Sequence, residues 1–341
     1  MPHEQRPPEN LPAVIAHADW SLDAKKRWVA RAVHEGGGHY RAFAPEPVGK
    51  LPQFFDGLRK SAKRSGALFV GFDFPLGLPR AYARRAGIDN FRSFLSVLHR
   101  DPWRQFFCVA EHPDDISPPR PFYPAKAGKR GTVTRRHLLQ GLGLESYQDL
   151  LRVCDRASEG RRAACAMFWT LGPQQVGKAA IVGWRDLLIP ALRSDPDVAL
   201  WPFDGELGKL LSRHGMVAAE TYLAEVYGHL GLRPGTGRHR DSKRLQVARI
   251  AVAPRFLELA GSLGLRLEPD FGETIADGFG PSPDGEDPFD ATGGLFGMGN
   301  VALGRRSPGT PCDPEIQRIE GWILGQEAPS YPGSASRPIR P

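Results

Sequence analysis

Apolar residues run from Ala13 to Ala18 and stop at Asp19; the same figure recurs where Ala67–Phe72 stops at Asp73 and Met216–Ala219 stops at Glu220. Short apolar runs bounded by turn signals predict buried strands. After the first run, Arg27–Val33 alternates apolar with polar, Gly36-Gly37-Gly38 makes a turn, and His39–Ala44 predicts a third strand. These three form an antiparallel meander. No Lys-Ser/Thr pair follows the glycines, so they read as a hairpin turn and not as a phosphate loop. Leu51, Phe54, Phe55 and Leu58 have the spacing of one helix face, which predicts a helix over 51–65 ended by Gly66. The order strand, strand, strand, helix, strand predicts a mixed sheet with a right-handed crossover. Pro75, Gly77 and Pro79 then stop the strand that carries Asp73.

The pattern changes over 80–214. Helical stripes at Phe91, Phe94, Leu95 and Leu98, and at Ala180, Ile181, Trp184, Leu187, Leu188 and Ala191, predict a mostly helical insertion between two core strands. Beyond Glu220, Tyr222, Val226 and Tyr227 suggest a helix. His239–Leu263 reads as helix kinked or divided at Pro254. Asp287-Pro288-Phe289-Asp290-Ala291 opens a small-residue helix through Leu303, with Asp287 as N-cap and Pro288 at its first position. The resulting division is a flexible arm over 1–11, a core over 12–79 and 215–327, the insertion over 80–214, and a Pro/Ser/Arg tail over 328–341.

Composition narrows the class. The 341 residues are 41% hydrophobic and 24% charged, as in a soluble globular protein. No apolar run reaches membrane-spanning length, and the N-terminus is polar and proline-rich, so neither a spanning helix nor a secretory signal is expected. Four cysteines without CxxC spacing make a reducing cytoplasm the default. The net charge of +7 favours a polyanionic partner. Basic residues cluster at Arg120, Lys126, Lys129, Arg130, Arg135 and Arg136, with no acid between Ile116 and Leu144, and again at Arg233, Arg238, Arg240, Lys243 and Arg244. Both clusters suit phosphate contacts, and both also suit a solvated loop.

The acids carry the candidate chemistry. Asp19, Asp73 and Glu220 fall at the carboxyl ends of core strands, where open α/β sheets place ligands. Asp287 and Asp290, three apart, share the first turn of a late helix. Simpler roles stand beside these: Asp73 can cap the turn before Pro75, and acids in a first helical turn stabilise it without chemistry.

Four segments together resemble a family of uncharacterised predicted nucleases with the ribonuclease H-like fold of the RuvC-type resolvases. They are Asp19-Trp20, Phe72-Asp73-Phe74-Pro75-Leu76-Gly77-Leu78-Pro79, Glu220-Thr221-Tyr222-Leu223-Ala224-Glu225-Val226 and Asp287-Pro288-Phe289-Asp290-Ala291. The resemblance spans about residues 13 to 303 and covers the insertion weakly. It departs at His17-Ala18-Asp19-Trp20-Ser21, where the family usually has glycines around the acid, and at the glycine-rich Thr292-Gly293-Gly294. It implies a mixed five-stranded sheet flanked by helices, and a nuclease in which Asp19, Asp73, Glu220 and Asp290 are catalytic. Two Mg²⁺ or Mn²⁺ ions would be held by these residues and Asp287. Nucleic acid, DNA or RNA, is the implied partner, contacted by Lys129, Arg130, Arg135, Arg136, Arg238, Arg240, Lys243 and Arg244. The alternatives are an inactive nucleic-acid-binding scaffold on the same fold, an actin-like ATPase, and a hydrolase of small phosphorylated compounds capped by the insertion.

Overall fold

We describe the protein from a computed structural model covering residues 10–128, 132–158, 161–172, 176–232 and 242–328. The chain begins with β1 (Val14–Asp19), β2 (Trp28–Gly36) and β3 (His39–Pro47), followed by α1 (Leu51–Ser61) and β4 (Leu68–Phe72). The β2–β3 turn uses Gly36, Gly37 and Gly38, all at positive φ, which side chains disfavour. Next come α2 (Arg80–Ala86), α3 (Phe91–Val97), α4 (Arg135–Leu142), α5 (Val176–Val182) and α6 (Ile189–Ser194), with a π-helical turn over Gly183–Leu188 joining the last two. Then follow β5 (Val198–Leu200), α7 (Leu207–Arg213), β6 (Met216–Glu220) and α8 (Leu223–Leu230). The last elements in the order of the chain that bear on the site are α9 (Gln246–Ile250), α10 (Ala253–Leu263), β7 (Leu265–Leu267), α11 (Pro269–Ala276) and α12 (Glu286–Ala302).

The strands form one mixed sheet in the order β5-β6-β4-β1-β2-β3-β7. β1, β2 and β3 pair antiparallel, while β4, β6 and β5 continue parallel to β1. The sheet is mixed, as expected, but has seven strands where five were expected; the short edge strands β5 and β7 are among the seven. Three-residue strands such as β5 and β7 carry too little periodicity to stand out from the sequence. Pleating sorts the side chains. Val14, Ala16, Ala18, Leu68, Val70, Phe72, Met216 and Ala218 share one hydrophobic core with α1 and with Phe91, Phe94, Leu138, Trp184 and Leu188 of the insertion. Ile15, Phe69, Val217 and Ala219 face the other way and pack with Val226, Phe256, Phe289 and Phe296 of α8, α10 and α12.

Residues 80–214 thus build one side of the shared core, and their β5 joins the sheet beside β6. The expectation that this insertion is mostly helical needs correction. Between α3 and α5 the described residues contain one α-helix, α4, among short 3₁₀ turns and irregular backbone. Pro102, Pro113, Pro118, Pro119, Pro121 and Pro124 deny this stretch the amide donors and φ freedom a longer helix needs. Rings replace regular structure there: Phe106 packs edge-on against Phe94 and Phe122, and Phe122 against Phe168. Pro254 divides the predicted 239–263 helix into α9 and α10 and sits near the start of α10. No helix among the described residues is long and apolar enough to cross a membrane. Residues 1–9 of the expected 1–11 arm, 239–241 of the expected 239–263 helix and 329–341 of the expected 328–341 tail lie outside the described residues.

Candidate active site

Strand register decides which acids meet. Ala18 pairs with Phe72, and Phe72 with Glu220. One residue further along, Asp19, Asp73 and Thr221 stand side by side on the opposite face. Successive side chains of a strand alternate faces, so Glu220 turns away from Asp19 and Asp73. The face carrying Asp19 is the one α12 covers. That helix approaches closely because Gly294 lies against the His17 ring, and Gly71 lies between Met298, Thr221 and His17. A side chain at either glycine would collide with these neighbours. His17 itself is fully buried and donates or accepts at Thr221 Oγ1 through Nε2 at 2.7 Å. Burial pushes its pKa down to about 3, so the imidazole is neutral.

This packing brings the first turn of α12 onto the ends of β1 and β4. Asp19 is buried, and its pKa stands well above the carboxylate range, because burial and then Asp73, Asp290 and Asp287 disfavour its charge while Lys243 opposes them. Asp73 accepts the Trp20 backbone N–H at 2.7 Å and lies within hydrogen-bond reach of the Asp19 carboxyl. Burial raises it to about 7 despite these bonds. Asp287 is raised to about 6 by burial, with Lys26 opposing and Asp290 adding. Asp290, buried, accepts from Tyr227 Oη and from Lys243 Nζ. Its pKa is raised by burial against the pull of Lys243. Lys243 also lies 3.2 Å from Glu286 Oε1. Burial works against its ammonium, yet Asp290 and Glu286 hold it charged well beyond its ordinary range. Asp19, Asp73 and Asp290, from three elements, thus feel one ammonium, while Asp287 adjoins them with Lys26 as its cation. Carboxylates gathered this closely titrate as a set and favour any cation that can replace their protons.

Two sequence expectations fail here for physical reasons. Glu220 does not join the aspartates. Its carboxylate is gripped at both oxygens by Arg152 at 2.6 Å, and Oε2 accepts the Leu76 N–H at 2.7 Å. Arg152 is fully buried, pairs also with Asp155, and donates to the carbonyls of Leu76 and Glu320. Glu320 in turn accepts the Val153 and Arg80 N–H groups. Glu220 thus anchors the loop after Asp73 to the insertion, and its charge is already matched by a buried, bidentate arginine on the face away from the aspartates. Lys243, expected on a nucleic-acid surface, is instead the cation of the aspartate cluster.

Among the other expected basic contacts, Arg135, Arg136 and Arg244 are exposed. The Arg135 guanidinium lies over the rings of Tyr147 and Trp169, 5.2 and 5.6 Å from their centroids. Lys129, Arg130, Arg238 and Arg240 lie outside the described residues. Sequence reasoning missed Tyr227 and Lys243 as partners of Asp290. No local pattern marks either one, since Lys243 reaches across 47 residues of chain. Strand alternation, by contrast, could have set Thr221 rather than Glu220 beside Asp19 and Asp73. Among the described residues no group of three or more His, Cys, Asp or Glu side chains is placed to hold a metal ion; the Lys243 ammonium is the cation paired with Asp290. Comparison of the chain with protein-family models, with curated proteins and with solved structures returns no match.

Proposed function

We propose that the protein is a nuclease with a ribonuclease H-like core, hydrolysing phosphodiester bonds with the help of Mg²⁺ or Mn²⁺. The five strands β3-β2-β1-β4-β6, antiparallel through the first three and parallel beyond, have the order and direction that this core requires. One observation carries the reading: Asp73, Asp290 and Asp287 lie near enough to Asp19, at the carboxyl ends of β1 and β4, to raise its pKa, and Lys243 is paired with Asp290. Their donor set is all carboxylate, which suits a hard divalent cation and not a soft one. Of these, Asp19 and Asp73 would hold the cation with Asp287 and Asp290 beside them, and Glu220 would not. A bound divalent cation supplies an activated water and charge stabilisation at the scissile phosphate.

The chain's own residues do the positioning. The Trp20 N–H fixes the Asp73 carboxyl. Tyr227 and Lys243 fix Asp290. The Glu220–Arg152 pair holds the loop that follows Asp73. Exposed arginines outside the cluster, Arg135, Arg136 and Arg244, are available to phosphates of a polyanion, setting its register without reading its sequence.

The direct test is cleavage of labelled single-stranded, duplex and branched DNA and RNA with Mg²⁺ or Mn²⁺. Wild type should cut at least one of them, and Asp19→Asn should abolish cutting while folding and binding persist, because Asn keeps the shape and removes the charge. A second reading is favoured by the Lys243–Asp290 pair itself: a scaffold in which the lysine has taken over the cation's place. Binding of several substrates with cleavage of none would select it. Neither cleavage nor binding would leave a small phosphorylated substrate as the better match to the aspartate cluster.

A further inference from the structure

The aspartate cluster does not fit the two-ion arrangement expected of a carboxylate nuclease, and the misfit is specific. A two-ion site needs ligands on both sides of a pair of cations about 3.5–4 Å apart. One side is complete in outline: Asp19 and Asp73 end adjacent parallel strands in register and share a hydrogen bond's reach. The other side is already satisfied. Both oxygens of Asp290 are taken, one by Tyr227 Oη and one by Lys243 Nζ. Glu286, one turn before Asp290 on α12, faces the same ammonium. Glu220, the remaining acid at this sheet edge, is locked to Arg152 on the opposite face.

We infer that Lys243 is a built-in cation that occupies the second position, so that the centre takes one divalent ion, held by Asp19 and Asp73, beside a fixed ammonium on Asp290. This rests on the metal-dependent reading above and sharpens it. The arrangement has a physical reason. Asp290 is 6% exposed, and a carboxylate at that depth without a positive partner is costly. The ammonium also lies near the face of the Tyr227 ring, 6.0 Å from its centroid, which favours positive charge there. As a positioning residue Lys243 fixes Asp290 and lends its charge to the same space that a second ion would fill.

The experiment is direct counting of ions on the full chain, with Mn²⁺ itself as probe, by calorimetric titration and by electron paramagnetic resonance of bound Mn²⁺. Wild type should bind one Mn²⁺ per chain, with the spectrum of an isolated ion. Lys243→Met should bind two, with the spin coupling of a close pair. Lys243→Arg, which keeps the charge, should stay at one. Two coupled ions on wild type would overturn the inference while leaving the metal-dependent reading intact. One ion on both wild type and Lys243→Met would also overturn it, since the lysine would then not be holding a second position. No ion on either protein would overturn both. If Lys243→Met does not fold, the wild-type and Lys243→Arg counts decide alone: one ion on each supports the inference and two on either refutes it.

Discussion

At the scale of single residues, the question is what protons do in the absence of a divalent cation. Burial raises Asp73 from an ordinary 3.8 to about 7 and Asp287 to about 6, and holds Asp19 well above its usual range. A carboxyl whose folded pKa lies above its unfolded value binds its proton more tightly in the native state. Its stabilisation is complete below the unfolded value and is lost as pH rises through the folded one. The metal-free protein should therefore show a Tm component that falls between about pH 4 and pH 7, the window set by these carboxyls. Adding Mn²⁺ at pH 8 should raise the Tm again, because the cation replaces the missing protons. Thermal scans in a chelator from pH 5 to 8, compared between wild type, Asp73→Asn and Asp19→Asn, isolate the effect. Identical pH slopes in all three would mean these aspartates are not coupled to folding as described. Residue identity made the aspartates visible in the sequence as acids at element ends. Their raised pKa values were not visible, because they arise first from burial and then, for Asp19 and Asp73, from Asp290, brought near across more than 200 residues of chain.

At the scale of elements, the site depends on how closely α12 lies against the sheet. The sequence shows that helix as a run of small residues after Asp290, and shows β1, β4 and β6 as apolar runs, so the frame was legible from periodicity. Two features were not. β5 and β7 are only three residues long. The face on which Glu220 falls depends on a one-residue choice of strand end, and such a shift reverses every side chain. The thinness of α12 against the sheet is testable. Gly294 lies one turn beyond Asp290 on the same helix face, and a Cβ there would run into the His17 ring, which is itself fixed by Thr221. Gly294→Ala should therefore push α12 outward, cost about 1–3 kcal/mol of stability as overpacked cores do, and alter Mn²⁺ binding by displacing Asp290 together with the Lys243 ammonium it holds beside the ion. Gly299, on the same helix, has open space where a Cβ would go. Gly299→Ala should be neutral or stabilise by about 0.5–1 kcal/mol through a lower entropy cost of ordering the helix. Denaturant titrations and Mn²⁺ binding on both variants check this pair. Equal effects at the two glycines would show that close approach of α12 does not set the position of Asp290.

At the scale of the whole molecule, a net charge of +7 coexists with a concentrated negative centre. A polyanion approaching that centre is repelled by four carboxylates unless cations offset them and basic surface elsewhere holds it. Among the described residues of the first basic cluster, the Arg135–Arg136 pair at the start of α4 is exposed, as is Lys126. Arg136 is exposed, and Arg135 is exposed while its guanidinium rests on Tyr147 and Trp169. That stacking holds the charge in place with little loss of side-chain freedom on binding. Each phosphate neutralised by such a residue releases counterions and adds roughly 0.9 units to the log–log dependence of affinity on salt for duplex DNA. Nucleic-acid affinity should therefore fall steeply from 50 to 200 mM salt, and the double substitution Arg135→Gln, Arg136→Gln should reduce the slope by about one to two units. Affinity should drop similarly for all sequences, because phosphate contacts position without reading bases. Mn²⁺ stoichiometry should not change, since neither arginine touches the aspartate cluster. Arg136→Gln alone separates charge from packing, as Arg135 also covers two aromatic rings. Fluorescence anisotropy against salt concentration, with folding checked by circular dichroism, gives the slopes. A wild-type slope near zero would remove nucleic acid as the substrate class even if Mn²⁺ binds. A normal slope unchanged in the double variant would move the contact surface away from α4 and leave the aspartate centre untouched.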